Sequence, residues 1–179
     1  MIIGITGYAR SGKDTIGQYL VENKGFTRVA FADAVRDAVY TLNPEIFEGE
    51  YYDARCRSVK DIVDKIGWDR AKTEWPEIRR LLQVMGTEVG RMLFGPNVWV
   101  NIADKKMLEL ADYVITDVRF ANEAEFIHSV GGIVVKVERQ GVKAVNTHSS
   151  EVLDFEVDFT VPNNGSLEDL YTQVDQLLI

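Results

Sequence analysis

The sequence predicts an α/β fold built on a parallel sheet, on three observations. A short apolar run, Met1-Ile2-Ile3-Gly4-Ile5-Thr6, leads into Gly7-Tyr8-Ala9-Arg10-Ser11-Gly12-Lys13-Asp14-Thr15 and then into a helical pattern at Ile16, Tyr19 and Leu20. Further apolar runs recur along the chain between segments of helical periodicity, the pattern of strands covered on both faces by crossover helices. One of those runs ends in Asp117, at the strand edge where open α/β sheets bind ligands.

The glycine-bracketed loop carries the most chemistry. Gly7 and Gly12 let the backbone fold over an anion with its N–H groups inward, Lys13 can reach the outer phosphates, and the following helix presents its positive end to the same place. A glycine-rich turn without a ligand is the bland alternative. The residue after the lysine departs from the usual pattern, because Asp14 stands where a Ser or Thr hydroxyl ordinarily ligates Mg²⁺, with Thr15 behind it. Asp14 can hold the metal directly or through water, a hard oxygen ligand in either case.

After the loop helix, Thr27 to Ala32 reads as a second strand. Asp33 starts a helical pattern through Val35, Ala38, Val39 and Leu42, ended by Asn43-Pro44. Asp33 is either the cap of that helix or, at a strand-to-helix junction, a contact for substrate or metal. Residues 45–75 interrupt the alternation and read as an inserted helical lobe. Within it, Ser58 and Asp61 form a capping box before Val59, Ile62, Val63 and Ile66, and Gly67 suits the helix end. Arg55 and Arg57 fall on a loop, solvated or facing a substrate phosphate, with Tyr51, Tyr52 and Trp68 nearby.

Pro76 suits the first turn of a helix whose apolar positions are Ile78, Leu81, Leu82, Met85, Val89, Met92 and Leu93. Its other face repeats Arg79, Gln83, Thr87 and Arg91. A polar stripe is ordinarily the wet side, but Gly86 and Gly90 beside it each cost about 1 kcal/mol in a helix, so something packs closely there, a ligand among the candidates. Phe94-Gly95-Pro96-Asn97 breaks the helix, and Val98 to Leu110 reads as another. Tyr113 to Thr116 is a buried parallel strand delivering Asp117 to the phosphate loop, where a carboxylate holds Mg²⁺ or its waters, unless it merely pairs with Arg119.

Asn122 and Glu125 cap a helix running to about Val130, and Gly131-Gly132 turns into the strand Ile133 to Val137. Residues 138–151 lack periodicity and carry Arg139, Lys143 and His148, which suits a lid, although a lone histidine is more often a surface or capping residue. Asp158 to Val161 is the last strand, Pro162 to Gly165 a turn, and Ser166 with Asp169 caps a closing helix.

Composition sets the frame. A chain of 179 residues, 46% apolar, fits one domain with a substantial core and a small inserted lobe. The single cysteine, Cys56, forms no internal disulfide and no zinc site. No run approaches the ~20 apolar residues of a membrane span, and the first residues lack the basic region of a signal peptide, so a cytoplasmic location is expected. A net charge of −8 argues against a nucleic-acid binder, while a small anionic ligand needs only a few convergent cations.

Four motifs, in order along nearly the whole chain, resemble the deoxynucleoside monophosphate kinases of bacteriophages. They are Arg10-Ser11-Gly12-Lys13-Asp14-Thr15, Gly86-Thr87-Glu88, Asp117-Val118-Arg119-Phe120-Ala121-Asn122-Glu123 and His148-Ser149-Ser150-Glu151. The loop with aspartate after lysine is shared with other small kinases, the phosphomevalonate kinases of animals included, so the specificity lies in the later three. The resemblance implies a P-loop kinase fold in one domain of residues 1–179: a three-layer sandwich with a five-stranded parallel sheet, a helical monophosphate-binding insertion spanning 34–100 and a short lid spanning 138–151. It implies ATP and Mg²⁺ as cofactors and transfer of the ATP γ-phosphoryl group to a deoxynucleoside 5′-monophosphate in deoxynucleotide biosynthesis. Its implied partners are small-molecule nucleotides, with no nucleic acid and no membrane. A homodimer is left open, and the cytoplasm would be the host's if the chain is of phage origin.

By position the resemblance assigns Gly7, Ala9, Arg10, Ser11, Gly12, Lys13, Asp14 and Thr15 to ATP, with backbone groups at Asn163 and Gly165 on the adenine. It gives Asp14 and Asp117 to the metal, and Lys13, Arg10, Asp117, Arg119 and Arg139 to catalysis around the phosphates. Asp33, Arg55, Arg57, Gln83, Thr87, Arg91 and Arg119 would serve the acceptor. The competing readings are another small-molecule P-loop kinase, acting on phosphomevalonate or dephospho-coenzyme A, and a nucleotide-binding module without catalysis. A GTPase switch lacks its guanine-reading Asn-Lys-x-Asp, since Asn23-Lys24 is followed by Gly25-Phe26.

Overall fold

The computed structural model describes residues 1–48, 55–107, 111–143 and 152–178. Its strands are β1 (Ile2–Thr6), β2 (Thr27–Val29), β3 (Glu45–Glu48), β4 (Arg55–Ser58), β5 (Tyr113–Ile115), β6 (Ile133–Glu138) and β7 (Phe159–Pro162). Its helices are α1 (Lys13–Lys24), α2 (Phe31–Leu42), α3 (Val59–Glu74), α4 (Pro76–Val84), α5 (Met92–Phe94), α6 (Val98–Asp104), α7 (Ala121–Ser129) and α8 (Leu167–Gln176), with a π-helical segment, Met85–Arg91, joining α4 to α5. The chain divides into two compact units, Met1–Phe31 with Val100–Ile179, and Ala32–Trp99.

The first unit holds a five-stranded parallel sheet in the order β2-β5-β1-β6-β7. Because side chains alternate along a strand, Ile3 and Ile5 of β1 face one side with Val135 and Val137 of β6, where they meet Ile16 and Leu20 of α1 and Leu170 and Val174 of α8. Gly4 faces the other side, and a Cβ there would collide with Ile127 of α7 and reach 3.0 Å from Val118. Helices therefore cover both faces, and the three-layer α/β architecture with five parallel strands is the one expected. Register places Ile3 opposite both Val114 and Ile133, and Val118 N–H donates to Ile5 O at 3.1 Å, so β5 and β1 stay together past the end of β5.

The second unit packs Val39, Ile46, Val59, Ile62, Val63, Ala71 and Ile78 into a core of its own, with Trp68, Trp75, Leu81 and Leu82 around it. Here the expectation of an all-helical insertion with Arg55 and Arg57 on a loop is corrected. Both arginines lie on β4, which pairs antiparallel with β3 so that Ile46 stands opposite Arg57. Each strand is only four residues long and charged, so burial of Ile46 is the force that seats the hairpin. Gly67 is a kink within α3 and not its end: at φ 75° it leaves the helical region, and the helix resumes to Glu74. The capping box at Ser166 holds as expected, Oγ accepting from Asp169 N–H at 3.2 Å and Asp169 Oδ2 accepting from Ser166 N–H at 2.9 Å. Ser58 caps α3 by accepting from Asp61 N–H at 3.2 Å and donating its hydroxyl to Asp61 Oδ2 at 2.8 Å.

Three more boundaries differ. The second strand stops at Val29 and α2 starts at Phe31, whose N–H is accepted by Asp117 Oδ1 at 2.9 Å. Asp33 is thus the third residue of α2 and not its cap, and it pairs with Arg36 at 3.1 Å. The helix expected from Val98 to Leu110 ends at Asp104, where Lys106 and Met107 N–H turn back to Ala103 and Asp104, and Leu110 lies outside the described residues. The cap of α7 is neither Asn122 nor Glu125 but Glu123, which accepts from Phe120 N–H at 3.1 Å. Tyr51, Tyr52, His148, Ser149, Ser150 and Glu151 also lie outside the described residues, as does the expected lid beyond residue 143. Among the described residues no helix is long and apolar enough to cross a membrane.

Candidate functional site

The loop between β1 and α1 is shaped by three left-handed residues, Gly7 at φ 140°, Arg10 at 67° and Gly12 at 112°. Glycine is required at two of them for space as well. A Cβ on Gly7 would sit 2.5 Å from Val137 O and 2.8 Å from Ser11 Oγ, and one on Gly12 would collide with the Asn163 carboxamide. The result is a backbone cradle of the kind whose N–H groups bind anions, closed by Ser11 N–H on Tyr8 O at 3.1 Å. Lys13, 9% exposed, folds its ammonium back onto Tyr8 O at 2.8 Å, so its charge stays at the cradle.

A cavity of about 420 Å³ opens beside this loop, lined by Arg10, Gly12, Lys13, Asp14, Thr15, Arg139, Asn163, Gly165 and Leu167. Ten of the residues assigned by resemblance belong to the loop or to the turn after β7, and this cavity brings seven of them together with the catalytic candidate Arg139. Gly7 and Ser11 line a second cavity of about 310 Å³ on the Lys136–Gln140 side, where Arg139 again contributes. Ala9 is exposed at the loop's tip.

Asp117 lies two residues past β5, half-buried, on the sheet edge that also carries the phosphate loop. Its Oδ1 takes the first N–H of α2. Arg119 follows with its N–H bonded to Glu123 Oε2 at 2.8 Å, and the same oxygen takes Phe120 N–H. Glu123 is 2% exposed, so a buried carboxylate fixes the backbone that carries Arg119. Gly17 is a second residue that sequence reasoning missed. A Cβ there would approach Thr116 Cγ2 to 2.6 Å, so its absence lets α1 settle on the residue before Asp117. A glycine at a buried position of the loop helix was the available signal.

As for a metal, the described residues contain no cluster of three or more His, Cys, Asp or Glu side chains. Mg²⁺ at a nucleotide site needs only one or two carboxylates with phosphate oxygens and water, and Asp14 and Thr15, both lining the cavity, supply hard oxygen atoms beside the cradle. The donor set fits the ion.

The second unit carries the acceptor candidates. Gln83 lies on α4, while Thr87 and Arg91 lie on the π-helical segment, and all three are half-buried. A period of four drifts about 40° per step around an α-helix, and the wider π turn takes up part of that drift along the stripe. Arg91 donates to Pro96 O at 2.9 Å. The close packing expected at the glycines comes from within the protein. The Trp99 indole lies on Gly90, where a Cβ would fall 2.6 Å from Cε2, and its Nε1 donates to Gly86 O at 2.8 Å. Arg57 is half-buried on β4; for Arg55 only the backbone is described.

A glycine-cradled loop at a strand-to-helix junction, with a lysine in the cradle, two arginines on its cavity and an aspartate on the same edge of a parallel sheet, defines a P-loop protein of the kinase type. The model of the deoxynucleotide monophosphate kinase family matches residues 45–174, and the chain belongs to that family. A protein of Acanthamoeba polyphaga mimivirus is 32% identical over 97% of this chain and 94% of its own. The deoxynucleotide monophosphate kinases of Escherichia phage RB69 and Enterobacteria phage T4 are 36% and 23% identical, each over 99% of this chain and over 99% and 98% of their own. Shikimate kinase from Bacteroides thetaiotaomicron overlays with a TM-score of 0.45 at 13% identity, over 99% of this chain and 98% of that one, too loosely to bear on the site.

Proposed function

We propose that the chain transfers the γ-phosphoryl group of ATP to a deoxynucleoside 5′-monophosphate, giving the diphosphate. The observation that carries this reading is the cavity in which Arg10, Lys13 and Arg139 converge on a glycine cradle, in a member of the deoxynucleotide monophosphate kinase family. In this reading the N–H groups of residues 7–15 hold the phosphate chain, and backbone groups at Asn163 and Gly165 hold the adenine. Asp14, Thr15 and Asp117 would hold Mg²⁺, which supplies neutralisation of the β- and γ-oxygens.

Charge placement explains the choice of residues. A loose, metaphosphate-like transition state carries its charge on the equatorial oxygens, and the acceptor is itself a phosphate anion that needs no strong base. Cations held in place therefore supply most of the rate. Lys13, Arg10, Arg119 and Arg139 take that role. Residues 138–151 act as the lid, and the insertion at 34–100 serves the acceptor. There Arg57, Arg55 and Arg91 are the candidates for its phosphate, and Asp33, Gln83 and Thr87 for its sugar or base.

An ADP-release assay with all ribo- and deoxyribonucleoside monophosphates, phosphomevalonate and dephospho-coenzyme A tests the proposal. Turnover with deoxynucleoside monophosphates supports it. Activity on phosphomevalonate or dephospho-coenzyme A alone overturns the acceptor, and ATP binding without any turnover overturns the enzyme. Arg91→Ala should raise the acceptor KM and leave ATP affinity near that of the parent.

A further inference from the structure

The turn after β7 carries two adjacent asparagines that the phosphate-transfer reading leaves without a role for their side chains. Asn163 Nδ2 donates to Ser11 O at 2.7 Å, and Asn163 N–H donates to Glu138 O at 2.7 Å, which seats the turn on the end of β6. Asn164 Oδ1 accepts from Gln140 N–H at 2.8 Å. Ser11 O lies between Arg10 and Gly12, two residues lining the larger cavity, and Gln140 follows Arg139, which lines both cavities.

The chemistry of the cradle makes these bonds more than local packing. A loop that turns its N–H groups inward toward an anion turns carbonyls outward, and each of those needs a donor. Asn163 supplies one to Ser11 O. Its carboxamide sits so close to the loop that Gly12, at φ 112°, has no room for a Cβ. Asn164 does the complementary thing, offering an acceptor to an N–H at the root of the segment that bears Arg139.

We propose that Asn163 and Asn164 are positioning residues forming a two-sided clamp. Asn163 holds the phosphate loop in its anion-binding form, and Asn164 holds the base of the Arg139 segment, so one turn sets both walls of the nucleotide cavity. The proposal rests on the reading that this cavity takes ATP.

The two bonds have opposite polarity, which makes the test specific. Asn163→Asp loses the donor to Ser11 O, whereas Asn164→Asp keeps the oxygen that Gln140 N–H needs and adds the same charge one residue away. Kd for ATP by titration calorimetry, and KM for ATP and for the acceptor, are measured for both, and for Asn163→Ala, Asn164→Leu and Lys13→Ala. Asn163→Asp and Asn163→Ala should weaken ATP about tenfold, the equivalent of one hydrogen bond, without moving the acceptor KM. Asn164→Leu should lower kcat several-fold as Arg139 loosens, and Asn164→Asp should restore most of that loss. Equal losses from the two aspartates would assign the effect to charge and overturn the clamp, as would wild-type ATP binding by Asn163→Ala. Undiminished ATP binding and turnover by Lys13→Ala would overturn the nucleotide assignment itself. A Lys13→Ala loss beside a wild-type-like Asn163→Ala would sink the clamp alone.

Discussion

Replacing Gly90 with alanine sets helix propensity against packing, and the two predict opposite signs. Propensity alone favours alanine by about 1 kcal/mol in a helix interior. Against it, the new Cβ would stand 2.6 Å from Trp99 Cε2 and 2.7 Å from Nε1, with Cζ2 nearer still. Three ring atoms of a rigid side chain must move together. The indole is 7% exposed, so it has no open space to enter, and moving it strains the bond from Nε1 to Gly86 O. Overpacking costs about 1–3 kcal/mol and the lost hydrogen bond about 1 kcal/mol, leaving a net destabilisation of about 1–3 kcal/mol after the propensity gain. For a chain of this size that lowers Tm by about 2–12 °C. Thermal melts of Gly90→Ala, Trp99→Leu and the double variant measure it, with Gly90→Ala turning neutral or stabilising once the indole is gone. A Gly90→Ala melt at or above the parent's would show that propensity wins and refute the packing argument.

Lys13→Ala should leave the circular dichroism spectrum intact and lower turnover by about 10³-fold, because the charge held at Tyr8 O is removed from the developing phosphoryl group; near-normal activity would contradict the cradle's role. Asp14→Asn should raise the Mg²⁺ concentration for half-maximal rate more than the ATP KM, and an unshifted Mg²⁺ titration would return Asp14 to a structural part. Burial pushes the Asp158 carboxyl up, but the Val134 N–H and the His128 ring outweigh it and hold it below the usual carboxylate range. A depressed folded pKa gives stability that is present above the unfolded value of about 3.9 and is lost as pH falls through the folded one. Stability measured from pH 6 down to pH 2 should therefore fall less steeply for Asp158→Asn, and parallel curves would refute this.

The parts of the fold legible in sequence are those governed by neighbours in the chain. The cradle follows from Gly7, Gly12 and Lys13 within one loop of backbone, and the helix caps at Ser58 and Ser166 from a partner three residues on. The central strands β1, β5 and β6 show themselves as apolar runs because they are buried, whereas the edge strands β2 and β7 are largely exposed and carry a weaker pattern. What stayed hidden depends on distant partners. The start of α2 is set by Asp117, 86 residues away, and no local pattern around Asp33 reports that. Gly90 reads in sequence as a place of close approach, yet its neighbour is Trp99 beyond the helix break at Gly95-Pro96, and a sequence does not say whether a ring or a ligand fills such a gap. The β3–β4 hairpin is too short and too charged to stand out from a loop. For the candidate site, residues 7–15 are legible in local pattern and the turn at 162–165 is legible as a turn, its nucleotide role coming from the family resemblance. Glu123 acts locally, on the N–H groups of Arg119 and Phe120, while Gly17 answers to Thr116 far along the chain, which spacing alone does not express.

The chain has three tryptophans, Trp68, Trp75 and Trp99, and all of them fall within Ala32–Trp99. The unit built on the parallel sheet contains none. Intrinsic fluorescence excited at the indole band is therefore a private channel to the smaller unit, with no label to introduce and no mutation to justify. An emission change on adding a nucleoside monophosphate would report an event sensed there, while far-ultraviolet dichroism averages over both units. Melting curves recorded by the two signals on one sample need not superimpose, and a gap between their midpoints would measure how far the two units unfold as separate cooperative blocks.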